Sequence, residues 1–335
     1  MRVVITGATG MVGSTVTRVL AADPQVTEVV GVARRVPHVP VEGVTWRRAD
    51  MRSDDLAPVF AGADAVIHLA WMIHPAWSPA ATWTANVGGA DRVLRAAAEA
   101  GVGTLAYASS LGAYGPGPAD RRPVDESWPT TGIPSLPYGR EKAALEAMCA
   151  RLAAERPGMR VVRLRAGFVM KRENAARMRQ VMLGPLPRAA TSSRLPAMPW
   201  VPELKAQGVH ADDFAEAFRL AVLGDARGAF NVVDETVMDA RTVARLLGAR
   251  AVRVPFPVAR AAVSASFHAR AQPTHPGWMD LLRDAPLLEC GQAHRELGWR
   301  PRVAAESALS ELFGALSEKA EGDTPPLAGA CPDPR

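Results

Sequence analysis

The sequence predicts an α/β fold: a doubly wound parallel sheet carrying a smaller, mostly helical C-terminal lobe. Three observations support it. Short apolar runs alternate with helical patterns through the first half of the chain. Three glycines at three-residue intervals join the first run to the first helix. Beyond about residue 170 the alternation gives way to irregular and helical segments.

The apolar runs are RVVIT (2–6), EVVGVA (28–33), VTWRRA (44–49), ADAVIHLA (63–70) and GTLAYASS (103–110), with MRVVRLRA (159–166) further on. Their length and nearly continuous apolar character suit strands buried on both faces. Helices fit between them. MVGSTVTRVLAAD (11–23) ends before Pro24, and the pattern over 81–101 ends at a glycine suited to a C-cap. A β-α-β-α order calls for a parallel sheet with helices on both sides.

Segment 111–137 is rich in glycine and proline and reads as an ordered loop, followed by a strong helix over 138–155. Residues 176–183 look helical and 184–203 read as loop. A short strand and a helix capped by Asp212 or Asp213 follow over 207–224, then a strand at GAFNVVD (228–234). The expected organisation is a dinucleotide-binding unit over 1–168 with returns near 207–233, a substrate-binding lobe over 169–319, and a Pro-rich disordered tail over 320–335.

Composition narrows the function classes. The chain has 335 residues, 48% apolar and 22% charged, enough to bury a sizeable core. No apolar run approaches the roughly 20 residues of a membrane span, and no signal peptide is expected. The net charge of +5 comes from arginines scattered along the chain, so neither a nucleic-acid nor a membrane partner is expected. Cys149, Cys290 and Cys331 are too widely spaced for a disulfide framework or a metal site; a reducing cytoplasm is the natural compartment.

In TGATGMVG (6–13), Gly7 can turn sharply out of the strand. Gly10 lacks a side chain that would block a phosphate, and Gly13 lets the first helix pack close to the sheet. The helix N-terminus then offers N–H groups to an anion. After a first parallel strand, this points to a dinucleotide and a Rossmann-type sheet. The second strand ends at Ala33 with no acid for ribose hydroxyls; Arg34 and Arg35 follow and suit a 2′-phosphate. NADP is therefore the expected cofactor, with NAD the alternative. Asp50, after the third strand, can accept from an adenine amino group or cap a helix.

A second constellation lies in YGREK (138–142). Tyr138 and Lys142, at i and i+4, share one helix face, and Lys142 is one of only four lysines. A neighbouring ammonium lowers a phenol's pKa. Ser109 and Ser110 end the fifth strand, where ligands of such sheets bind; a serine there can hold a carbonyl oxygen or simply finish a turn.

Together these segments resemble the extended short-chain dehydrogenase/reductase family, in its NAD-dependent epimerase/dehydratase branch. The marks are TGATGMVG (6–13), ADMRSDD (49–55), VIHLA (66–70), NVGGADRVLRAA (86–97), YASSLGAYG (107–115), YGREK (138–142), VRLRAGFV (162–169), VHADDFAEAF (209–218) and HRELGWRP (294–301), in family order over roughly residues 2–315. The resemblance implies Tyr138 as general acid/base, Lys142 as its tuner and a ligand of the nicotinamide ribose, and Ser110 as the hydroxyl on the reacting oxygen. It implies Thr9, Met11, Val12, Met51, Leu69 and Ala70 on the cofactor wall, with Asp50 on adenine, Asn86 on a supporting helix, and Ala166 to Val169 beside the nicotinamide. It also implies a possible homodimer through the Tyr-Lys helix and its neighbour.

The departures shape the expected chemistry. Leu111 and Gly112 follow Ser110 where dehydratases of this branch carry an acidic pair, so elimination of water is not expected. An Arg-Asp-Phe element of many nucleotide-sugar epimerases is missing before the helix at 211. The stretch WMIHPAWSPAATW (71–83), with His74 and three tryptophans, suggests a flatter, apolar ligand or simple lobe packing. The leading expectation is an NADP-dependent ketone/alcohol oxidoreductase acting on a small or medium, partly apolar molecule. The alternatives are a sugar or nucleotide-sugar epimerase with retained NAD, and a non-catalytic cofactor-sensing protein.

Overall fold

The structure is a computed structural model that describes residues 1–37, 41–73, 77–176, 178, 197–318, 324 and 327. In the first half, strands β1 (Arg2–Thr6), β2 (Glu28–Ala33), β3 (Val44–Arg48), β4 (Ala65–His68), β5 (Thr104–Ser110) and β6 (Arg160–Ala166) alternate with helices. These are α1 (Gly13–Ala21), α2 (Ala57–Phe60), α3 (Pro79–Trp83), α4 (Gly89–Glu99) and α5 (Pro137–Glu155). The second half holds β7 (Phe168–Met170), β8 (Ala197–Trp200), β9 (Ala206–His210), β10 (Gly228–Val232), β11 (Asp234–Met238) and β12 (Arg250–Arg253). Its helices are α6 (Ala211–Leu223), α7 (Ala240–Leu246), α8 (Phe256–His268), α9 (Gly277–Asp284) and α10 (Ala305–Glu318).

The central sheet has seven strands in the order β10-β6-β5-β4-β1-β2-β3, every neighbouring pair parallel. Strand order reverses between β1 and β4, which opens the crevice where ligands of such sheets bind. β10 lies far along the chain yet forms one edge of this sheet.

The pleat sorts the core. Val3, Ile5, Ala65 and Ile67 pack with Val16 and Leu20 of α1 and with Phe214 and Phe218 of α6. The alternate residues Val4, Val66, Leu105 and Tyr107 pack with α4 and with Leu145 and Leu152 of α5. Period-two alternation therefore serves two apolar faces, as a doubly wound sheet requires. Each fully buried Phe contributes about 1.5–3 kcal/mol of transfer free energy.

A smaller sheet, β11-β9-β7, joins the lobe to the main sheet, and α10 packs on it through Ala305, Ala308 and Leu312.

Several local expectations change. β3 lies at a sheet edge and is largely exposed rather than buried on both faces. The segment expected as loop over 184–203 holds a strand, Ala197–Trp200, paired in parallel with Arg250–Arg253. α6 is capped by His210, whose Nδ1 accepts from the Asp212 N–H at 3.2 Å; neither aspartate caps it. Asp213 instead accepts from the Arg302 and Val303 N–H groups. The expected helix over 176–183 lies, apart from Ala176 and Met178, outside the described residues, as does His74. In the tail expected to be disordered, Thr324 and Leu327 are buried, and the Thr324 hydroxyl donates to the Thr9 carbonyl at 2.7 Å.

One buried group makes the fold pH-sensitive. His68, on β4, shares a 2.7 Å hydrogen bond between Nδ1 and the Thr6 hydroxyl, and its Nε2 has no hydrogen-bond partner among the described residues. Burial pushes its pKa down to about 3, with Lys142 adding repulsion. Between that value and the ordinary 6.5, the unfolded chain binds a proton that the folded chain does not. This contribution to stability is lost as pH falls through that window. His68→Asn keeps a polar partner for Thr6 and removes the titration. Urea midpoints at neutral and acid pH should show the variant losing less stability than wild type on acidification; equal losses would exclude this role for His68.

Candidate active site

Gly7 begins the site. It ends β1 in the left-handed region, at φ 72°, and a Cβ there would lie 2.6 Å from Ala70 Cα. Only glycine allows both the turn and this approach to the end of β4. A Cβ at Gly10 would meet only the Gly7 carbonyl, at 3.2 Å, so this position stays clear. A Cβ at Gly13 would lie 2.1 Å from the Gly7 oxygen and 2.8 Å from Ala8 Cα. Gly13 thus lets α1 close onto the turn itself rather than onto the body of the sheet. The three glycines together shape a cradle below the N-terminus of α1.

The cradle opens into a cleft of about 730 Å³. Every sequence-predicted site residue lines it: Gly7, Thr9, Gly10, Met11, Val12 and Gly13 from the first turn, Arg34 and Arg35 after β2, and Asp50 and Met51 after β3. So do Leu69 and Ala70 after β4, Ser110 ending β5, Tyr138 and Lys142 on α5, and Ala166 and Val169 beyond β6.

At the outer end, Arg34 is exposed and Arg35 half-buried. Asp50 caps no helix. Arg52 grips its carboxylate, with Nη2 to Oδ2 at 2.6 Å and Nε to Oδ1 at 3.0 Å. That bond holds the Asp50 carboxyl below its usual range against the opposing effect of burial, and Arg34 adds a smaller pull. Arg52 is thus a partner of Asp50 that the sequence did not suggest.

At the inner end, α5 starts with Pro137 in its first turn, where a missing N–H costs nothing. Tyr138 follows, partly exposed to the cleft. Its ring lies between Trp71, edge-on at 5.6 Å, and Trp278 at 4.9 Å. Burial pushes the phenol up to about 12; a hydrogen bond with Ser110 pulls it the other way, and the Glu141 charge raises it. The expected acidification by Lys142 is not what this arrangement shows. The Lys142 ammonium donates to the Ala108 carbonyl at 2.7 Å and sits 3.6 Å over the Trp71 ring. Burial pushes Lys142 down to about 7, while Glu146 and Glu141 draw it back up.

Two buried carboxylates support this helix face. Glu141 accepts from the Thr82 hydroxyl at 2.6 Å and from Asn86 Nδ2 at 2.7 Å. Asn86 also exchanges hydrogen bonds with the Met72 backbone, at 2.7 and 2.8 Å, which fixes the strand exit beside Trp71. Glu146 accepts from Ser109 at 2.6 Å and from Arg165 at 2.9 and 2.8 Å. Burial would raise the Glu146 carboxyl, but Arg165 and Arg163 hold it below the usual range. Ser109 is thereby committed to structure. Ser110 remains at the cleft, its Oγ accepting from the Gly112 N–H at 3.1 Å.

Sequence reasoning missed Trp278, Arg52 and the Glu141 pair. The position of Glu141, directly before Lys142, was the available signal for the last. Trp278 had none, because its approach depends on how α9 folds back over the loop at 111–137.

Fold and cleft together define a dinucleotide-binding α/β enzyme. Residues 3–232 match the NAD dependent epimerase/dehydratase family, and the chain belongs to it. It is an NAD(P)-dependent enzyme of the short-chain dehydrogenase/reductase type. The chain is similar to L-arabinose 1-dehydrogenase (NAD(P)(+)) of Haloferax volcanii, 32% identical over 183 residues, which cover 50% of this chain and 67% of that protein. An uncharacterised Mycobacterium tuberculosis protein is 25% identical over 319 residues, 94% of this chain but only 30% of the longer relative. The UDP-glucose 4-epimerase of Thermus thermophilus, solved with NAD, superposes with a TM-score of 0.68 at 22% identity, covering 94% of this chain and 99% of that one. No helix among the described residues is long and apolar enough to cross a membrane.

Gly112 carries a direct test of the site's geometry. A Cβ there would lie 2.8 Å from Tyr138 Cε1. Gly112→Ala should displace the phenol and lower turnover by on the order of 100-fold, with NAD(P)H affinity and the melting midpoint nearly unchanged. Wild-type turnover in that variant would show that the ring position is not critical.

Proposed function

We propose that the protein is an NADP-dependent ketone/alcohol oxidoreductase acting on a small or medium, partly apolar molecule. The observation that carries this reading is the convergence of Ser110, Tyr138 and Lys142 on the inner wall of a cleft whose outer wall is the glycine cradle.

The residues present fit a dinucleotide, since Gly7 and Gly13 allow the tight turn below the N-terminus of α1 and no side chain at Gly10 occupies the space beside it. Gly7, Gly10 and Gly13, with Thr9, Met11 and Val12, would hold the pyrophosphate against the N-terminus of α1. Asp50 and Met51 would take the adenine, Leu69, Ala70, Ala166 and Val169 would flank the nicotinamide, and Lys142 would hold its ribose. Arg34 and Arg35 would take a 2′-phosphate; the guanidinium fork and the lack of an acid at Ala33 support NADP over NAD. Bound in this way, the cofactor supplies hydride to a carbonyl carbon.

The chain's own residues handle the oxygen. Ser110 donates to the carbonyl, and Tyr138 delivers its proton to the forming alkoxide. A phenol held near 12 stays protonated at neutral pH, the form a proton donor needs. Lys142 adds positive potential where negative charge develops. The indoles of Trp71 and Trp278 flank the phenol ring.

A second reading is an epimerase with tightly retained NAD, favoured by the fold shared with UDP-glucose 4-epimerase. Stoichiometric NAD(H) in the purified protein would support it.

Tyr138→Phe should reduce turnover by about 100- to 10,000-fold while NADPH affinity changes little; wild-type turnover in the variant would refute the mechanism. NADPH should bind more tightly than NADH, and Arg34→Ala should narrow that ratio by roughly tenfold or more. Equal or tighter NADH binding by the wild type would overturn the NADP preference.

A further inference from the structure

The cleft continues beyond Tyr138, and its charges are unevenly placed. Its charged lining residues are Arg34, Arg35, Asp50 and Arg52 at the outer end, Lys142 beside Tyr138, and Lys205. Lys205 is therefore the charged group left for whatever fills the inner half, among the described residues.

Its position is built rather than incidental. Lys205 precedes β9, and its backbone N–H donates to the Leu282 carbonyl at 2.9 Å. Leu282 lies on α9, one helical turn, about 6 Å, beyond Trp278, whose ring packs 4.9 Å from that of Tyr138. The backbone of Lys205 is thus tied to the helix that carries Trp278, and its side chain is part of the cleft wall. No ion pair or hydrogen bond holds its ammonium among the described residues, and both acids of α9 are already engaged; Glu203, two residues before Lys205, keeps a buried Oε2 without a hydrogen-bond partner among the described residues. Asp280 is gripped by Arg260 at 2.7 Å, and Asp284 by Arg283 at 2.6 Å.

The neighbouring amides are spent on the backbone. Gln272 Nε2 donates to the Val263 and Thr274 carbonyls at 3.2 and 3.1 Å. Gln207 Nε2 donates to the Leu288 and Glu235 carbonyls. The remaining wall is largely apolar, with Trp71, Ile73, Val263, Trp278, Met279 and Leu282. An apolar pocket with a single positive pole recognises an apolar molecule with a single negative one.

We propose that Lys205 is a specificity-determining residue that binds the carboxylate of an apolar keto acid or hydroxy acid, whose carbonyl or alcohol lies at Tyr138. This rests on the oxidoreductase reading for the reacting end. A nucleoside diphosphate is the weaker fit, because its several charges would face one ammonium in an otherwise uncharged wall.

The test uses the holoenzyme with NADP bound and two matched pairs of probes. Binding of phenylacetate and phenylacetamide is measured by calorimetry, and reduction of benzoylacetate and benzoylacetamide by NADPH consumption. The carboxylate of each pair should be favoured by about 10-fold or more, the turnover preference appearing mainly in KM. Lys205→Met should abolish the preference by weakening only the carboxylates; Lys205→Arg should retain most of it. NADPH affinity should be the same in all three proteins. Equal affinity for acid and amide in the wild type, an unchanged preference in Lys205→Met, or UDP binding more tightly than phenylacetate would overturn the assignment. If phenylacetate binding depends on Lys205 but neither ketone is reduced, the anion site stands and the oxidoreductase reading falls.

Discussion

The structure depends on one close backbone contact, that of Gly7 with Leu69 and Ala70. β1 and β4 are hydrogen-bonded neighbours whose onward chains diverge, α1 to one face and the chain from Leu69 toward the other. The two exits can leave side by side only because Gly7 has no side chain and adopts a left-handed turn. From this contact follow the crevice, the placement of the α1 N-terminus above it, and the route of the chain past Ala70 to Trp71. Trp71 in turn supplies the aromatic face on which the Lys142 ammonium rests. One steric allowance near the start of the chain thus reaches the chemistry at α5.

Burial decides the chemistry at the inner end. It raises the Tyr138 phenol and lowers the Lys142 ammonium, so both groups are biased towards their neutral forms. The carboxylates on the same helix work against this bias for the lysine. Glu146 stays ionised because Arg165 and Arg163 meet it with several hydrogen bonds, which offsets a desolvation cost that an isolated buried carboxylate could not bear. Glu141 is less well compensated, by Thr82 and Asn86, and burial leaves its carboxyl above the usual range. Lys142 is thus flanked by two carboxylates, both of which draw its pKa back up against burial.

The α/β class, the parallel order and the glycine cradle were legible in the sequence because they rest on local rules: periodicity of apolar residues, the conformational freedom of glycine, and the i, i+4 geometry that places Tyr138 and Lys142 together. The candidate residues on the cleft were legible for the same reason, since strand ends and helix starts converge on one edge of such a sheet. Tertiary structure alone decided what those residues touch. Packing angles between α5, α9 and the strand exits put Trp71 and Trp278 around Tyr138, turned Lys142 to Ala108, and closed Arg52 on Asp50. It also decided that Asp213 serves the loop at 302–303 rather than capping α6, and that Ala197–Trp200 is a strand. Except for the Asp50–Arg52 pair, two residues apart, these contacts join residues far apart in sequence, and their strength comes from desolvation, which a side chain acquires only when the rest of the chain has packed around it.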